Sequence, residues 1–173
     1  MEMRDLPREE LCAQIAAILQ FQYNESFAKA FFRIYPDFKI QFSGRTGKIK
    51  QISKNNQLLA TYKSQYGNFS FSILAIQQIL PLIPPPRFRV KVLSTVASFI
   101  EQGKSVFAKH VIEIDPEQRA GDEVFVVDES DRLLALGKLN LPSNQLRSFT
   151  NGTAVKVRHG IRSSSDEEKI ETI

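Results

Sequence analysis

Cysteine and histidine are scarce in these 173 residues: Cys12 stands alone, and His110 and His159 are the only histidines. One thiol cannot close a disulfide within the chain, and this set excludes a cysteine-based zinc site or a histidine-rich metal centre. Apolar runs are short, none approaching the ~20 residues that span a bilayer. The opening MEMRDLPREEL is charged from its second residue and lacks the basic and apolar regions of a secretory leader. The expected location is therefore cytoplasmic, and the Asn151-Gly152-Thr153 sequon reads as a chance match. Gly44 and Gly47 lack the lysine-terminated spacing of a phosphate loop, and no nucleophile stands with a paired base. No cofactor, metal or membrane is implied.

Acids are missing from one long stretch. Between Pro36 and Leu93 the bases Lys39, Arg45, Lys48, Lys50, Lys54, Lys63, Arg87, Arg89 and Lys91 face the single acid Asp37, a local +8 in a chain of overall charge +4. Such a segment projects a positive potential over about 8 Å at physiological salt, and phosphate backbones are its usual partners. A solvated basic face would produce the same count, so charge by itself leaves both readings open.

What is present folds: 42% of the residues are hydrophobic and 24% charged, an ordinary globular balance. From Arg8 to about Ile34 apolar residues recur at three- and four-residue spacing, an amphipathic helix with a break near Asn24, its aromatic stripe belonging to a core. After Pro36 the period falls to two. Phe38 to Phe42, the segment around Ile49, Leu58 to Tyr62 and Phe69 to Ile73 alternate between turn-rich stretches, predicting a four-strand antiparallel meander with one apolar face. Lys48 and Lys50 share its outward face by the same alternation. Ile73 to Leu80 predicts a short helix, and Pro84-Pro85-Pro86 then forces an extended connection at the best candidate domain boundary. Downstream, Arg87–Val92, Val106–Ile112, Glu123–Val127, Leu133–Leu141 and Ala154–Arg158 read as strands. In the first, Phe88, Val90 and Val92 oppose Arg89 and Lys91. A short helix ends at Gly103, whose access to positive φ suits a cap, and another is expected near Ser143–Phe149. Short strands with few helices suggest a small barrel. The histidines are expected to hydrogen-bond rather than catalyse, and Asp115, Asp122, Asp128 and Asp131 to brace turns.

Four segments in order, GKSVFAKHV, RAGDEVFVVDE, LLALGKLNL and GTAVKVRHG, closely resemble a PUA domain, the RNA-binding pseudobarrel of pseudouridine synthases and archaeosine transglycosylases. Upstream, FSGRTGKIKQI and LLATYKSQYGNFSFSI resemble the domain that precedes it in archaeal tRNA-guanine transglycosylases, with QFQYNESFAKAFF a looser match. The resemblance is to the C-terminal tRNA-binding region of such an enzyme without its catalytic barrel or zinc site. It implies an α+β chain. Residues 1–83 form an N-terminal helix plus antiparallel sheet domain, 87–162 a small PUA-type β pseudobarrel, and 163–173 a mobile acidic tail.

The resemblance implies RNA contacts at Gly103, Lys104, Ala108, Lys109, His110, Lys156, Arg158, His159 and Arg162. Lys156 and Arg158 alternate with Val155 and Val157 and so point outward, and Lys109 and Arg158 suit phosphates. In the first half Arg45, Lys48, Lys50 and Lys54 are the RNA-binding candidates. The function implied is non-enzymatic: binding tRNA or another structured RNA near the acceptor end, and assisting archaeosine formation with a separately encoded catalytic subunit. The alternative is a PUA-type translation factor acting on the small ribosomal subunit.

Overall fold

The structure, a computed structural model, describes residues 3–146 and 151–163. The expected tail 163–173, apart from Ser163, and the end of the expected helix near 143–149 lie outside the described residues. Two compact units meet in the chain between Ile83 and Pro84.

In the first unit the long helical stretch is two helices, α1 (Arg8–Gln22) and α2 (Glu25–Ile34). The break falls at Asn24, whose extended backbone and side-chain oxygen, accepting from the Phe27 N–H at 2.9 Å, make it the N-cap of α2. The meander follows: β1 (Lys39–Phe42), β2 (Ile49–Lys54), β3 (Gln57–Lys63) and β4 (Asn68–Phe71), antiparallel and paired in chain order. Ser72 caps the short helix α3 (Ile73–Ile79) by accepting from the Ala75 N–H.

Leu11, Ile15 and Leu19 form the buried stripe of α1, at the spacing of one helix face. Phe31 of α2 sits 5.5 Å from Phe38 and 6.0 Å from Phe71, and Phe27 5.4 Å from Phe71, so the aromatic stripe is core. Each of these buried rings contributes about 2–3 kcal/mol of apolar transfer. Gln22 closes the end of α1 against the sheet: its amide donates to the Phe69 carbonyl at 2.7 Å and accepts from the Phe69 N–H at 2.8 Å. An edge-strand residue that would otherwise present both backbone groups outward is thereby satisfied.

The second unit has six strands: β5 (Arg89–Val92), β6 (Val106–Phe107), β7 (Val111–Ile114), β8 (Glu123–Val127), β9 (Leu133–Leu139) and β10 (Thr153–Gly160). Helix α4 (Ala97–Glu101) follows β5, and α5 (Ser143–Leu146) follows β9. The sheet order is β6-β10-β9-β8-β5-β7, with β5 and β8 parallel and the other pairs antiparallel. Its two edge strands are joined only by the single turn Ala108–His110. Three residues reach about 11 Å at most, whereas the edges of a flat six-strand sheet lie about 24 Å apart. The sheet must curl, and it forms a pseudobarrel around Val90, Val124, Val126, Leu134 and Val155.

Two strand expectations change. The run Val106–Ile112 is interrupted by the turn at Ala108–His110 and becomes β6 and β7, because barrel closure requires a corner where the apolar pattern continues. Arg89 does not face solvent opposite Phe88: Phe88 has φ of 61°, which breaks the alternation at the strand entrance, and Arg89 is 2% exposed.

Candidate nucleic-acid interface

Folding redistributes the basic segment. Arg89 binds Asp131 through both carboxylate oxygens, at 2.6 and 3.0 Å. Arg87 pairs with Glu117 and Lys91 with Glu113 across β5–β7. Three of the nine bases are therefore matched by acids from the chain's second half. Arg45 and Lys48 stand exposed in the 43–48 hairpin loop, which the Ser43 N–H closes by donating to the Lys48 carbonyl at 2.8 Å. Lys50 is exposed where the β1–β2 register slips between Gln41 and Phe42. Lys54 is half-buried, its ammonium 5.9 Å from the ring centroid of buried Tyr35, on the helix-covered side of the sheet.

In the second unit the candidate residues gather around the link from α4 to β6 and the end of β10. Gly103 takes the expected positive φ, 93°, and the Lys104 N–H donates to the Phe99 carbonyl at 3.1 Å, turning the Lys104 side chain out to solvent. Gly160 of β10 passes so close beneath this link that an added Cβ would lie 2.3 Å from the Glu101 carbonyl oxygen and 2.7 Å from the Gly103 nitrogen. The Arg162 N–H donates to the Glu101 carbonyl at 2.8 Å, tying the strand end to the helix end.

Glu101 is the electrostatic centre of this corner. Its carboxylate is buried and accepts from Arg132 at 2.6 Å, with Arg162 at 3.1 Å from its other oxygen. Arg132 also reaches Asp128 at 3.0 Å. Burial pushes the Asp128 carboxyl up, but the N–H groups of Arg132 and Ser130 and the Arg132 guanidinium outweigh it and hold the group below its usual range. Asp115, Asp122 and Asp128 all accept backbone N–H groups in turns, and Asp131 is the partner of Arg89.

Lys104, Lys109 and Lys156 are exposed, and His110 and His159 are half-buried. Ala108 is different: its side chain is buried and its N–H donates to Gly152 at 2.8 Å, so it offers a ligand no side-chain surface. Strict alternation along β10 also stops short of Arg158. The register with β9 slips between Val157 and His159, and Arg158 is half-buried with its guanidinium 2.6 Å from Glu123. An exposed outward position holds for Lys156 and not for Arg158, because the bulge adds a residue that has no partner on β9.

Two residues at this corner escaped the sequence reading. Phe99 of α4 is 59% exposed and Phe107 of β6 is 50% exposed, on either side of the Gly103–Lys104 link in the chain. The available signal was Phe99 lying off the Ala97–Ile100 apolar spacing; Phe107 sits in a strand too short to show alternation. No group of acids, cysteines and histidines able to hold a metal ion occurs among the described residues, and none of their helices is long and apolar enough to cross a membrane.

Residues 88–161 match the PUA domain, and residues 13–86 match the patch-forming domain C2 of tRNA-guanine transglycosylase. The chain is 36% identical over 154 residues to a tRNA-guanine(15) transglycosylase of Pyrococcus furiosus, covering 89% of this chain and 26% of that protein. The Thermococcus onnurineus enzyme of the same name is 34% identical over 154 residues, with the same coverage. The chain thus spans about a quarter of the length of these relatives. A hypothetical protein from Pyrococcus horikoshii has the same fold over 91% of this chain and 94% of its own, with a TM-score of 0.70 and 22% identity. A conserved PUA domain protein from Thermoplasma acidophilum superposes with a TM-score of 0.55 and 18% identity, over 79% of this chain and 90% of its own.

Proposed function

We propose, from the premise that this chain joins a transglycosylase-type patch-forming C2 domain to a PUA domain, that it is a non-catalytic tRNA-binding protein of the archaeosine pathway. The observation that carries the reading is the pairing of these two domains, in this order, at 34–36% identity to tRNA-guanine(15) transglycosylases. The second unit grips the acceptor end. Lys104, Lys109 and Lys156 supply phosphate contacts, which position without reading sequence, while Phe99 and Phe107 offer faces on which unpaired bases stack. The first unit follows the backbone with Arg45, Lys48 and Lys50.

The acids near the proposed site support a binding role. Glu101, Glu123 and Asp128 are each held by arginines and none is left to work as a general base. Chemistry on the tRNA falls to a separate catalytic chain, which this protein assists. The test is titration of the purified chain with mature tRNA, the same tRNA lacking its 3′ CCA, and an RNA duplex, across a salt series. Tighter binding of the CCA-bearing tRNA is expected; equal, purely salt-driven binding of all three reduces the site to a basic surface. Turnover of tRNA by the chain alone would overturn the non-catalytic reading, and co-purification that recovers no modification enzyme would count against the separate catalytic chain.

A further inference from the structure

Resting on that tRNA-binding reading, we propose that the solvent face of the first unit's sheet is a second RNA surface, one that holds an A-form duplex by its sugar–phosphate backbone. The strand register carries the argument. Ile40, Ile52, Ala60 and Phe71 oppose one another across the four strands, and the last three are fully buried on the core side. Side chains alternate between the faces of a sheet, so the neighbouring set Gln41, Gln51, Thr61 and Ser70, paired in the same order, lies in a row on the opposite face. None of the four is buried. Lys39 and Lys63, two residues from Gln41 and Thr61, share this face and are exposed.

The chemistry of the face selects its occupant. The register places no acid on it, so its lysines meet phosphate without internal competition, and the surrounding segment has one acid, Asp37, in all. The central row has no apolar side chain, where a protein partner would find a dry centre. The one apolar residue the register adds to this face is half-buried Leu58, opposite Ser53 in the row of Lys39. The face has no aromatic ring, and single-strand binders stack bases on such rings. Amides and hydroxyls suit phosphates and 2′-hydroxyls, which the wide, shallow minor groove of A-form RNA displays. Lys39 and Lys63 stand at diagonal corners roughly 16 Å apart, by strand spacing and rise, too far to share neighbouring phosphates of one strand.

The full chain would be titrated with a blunt RNA duplex of about 16 base pairs, the DNA duplex of the same sequence, and a single strand ending in CCA. The RNA duplex should bind more tightly than the DNA. Gln51→Glu with Thr61→Glu, two negative charges in the middle of the row, should weaken duplex RNA by about tenfold or more while leaving the single strand unchanged. Gln51→Lys at the same place should strengthen it. Equal affinity for the two duplexes, an acidic variant that binds as wild type, or weakening by both variants overturns the proposal. Loss of CCA preference in the wild type refutes the acceptor-end reading; with that preference intact, an indifferent acidic variant refutes the sheet surface alone.

Discussion

Substituting Gly160 by alanine tests the packing that sets the proposed acceptor-end site. The added methyl would sit 2.3 Å from the Glu101 carbonyl oxygen, 2.7 Å from its carbon and 2.7 Å from the Gly103 nitrogen, all backbone atoms. Carbon atoms in contact sit about 3.5–4.0 Å apart, so β10 and the end of α4 must separate by roughly 1 Å. No flexible side chain can yield instead. Separation strains the Arg162 N–H bond to Glu101 and disturbs the buried carboxylate that binds Arg132 and Arg162. Overpacking alone costs about 1–3 kcal/mol, and the strained polar contacts add on the order of 1 kcal/mol. A loss of ~3 kcal/mol in a unit of this size lowers its melting temperature by about 12–24 °C. Thermal unfolding followed by circular dichroism measures it, with tRNA affinity measured below the transition. The folded variant should bind tRNA more weakly, because Lys104 leaves its position. A variant that melts within 2 °C of wild type and binds tRNA equally would refute the account of this corner.

Glu123→Gln removes the negative charge paired with Arg158, about 7 Å from a phosphate held there. That is worth about 0.6–2.4 kcal/mol for effective dielectrics of 80 to 20, a threefold to fiftyfold gain. Fluorescence anisotropy with tRNA should show the gain at low salt, and unchanged or weaker binding would mean that Arg158 serves the fold alone. Asp128 titrates below its ordinary value of 3.8 in the folded chain. The sign follows from linkage: its stabilisation is complete above that ordinary value and is lost as pH falls through the depressed folded value. Urea midpoints measured from pH 5 downward should therefore fall less steeply in Asp128→Asn than in wild type, and parallel curves would contradict the pairing.

Much of the fold is legible in local pattern. The period-two alternation from Phe38 to Phe71 marks the meander, the helical spacing of Leu11, Ile15 and Leu19 marks the buried stripe of α1, and Asn24 marks the break between helices. The barrel strands are legible as segments, but the corner at Ala108–His110 is not, since an apolar run reads the same whether it continues straight or turns to close a sheet. The site is legible only in part. The outward position of Lys156 follows from alternation along its strand; the burial of Ala108 and the bulge at Arg158 do not, because a bulge is a mismatch between two strands and belongs to neither alone.

The sequence by itself determined the periodicities, the two domain types and the shortage of acids between Pro36 and Leu93, because each is a property of neighbouring residues. Only the tertiary structure decided which charges face solvent. Arg89 finds Asp131 42 residues away and Arg158 finds Glu123 35 residues away, and pairing at such separations depends on how β5, β8, β9 and β10 close the barrel. A charge counted along the chain becomes a field in space only after those partners are subtracted.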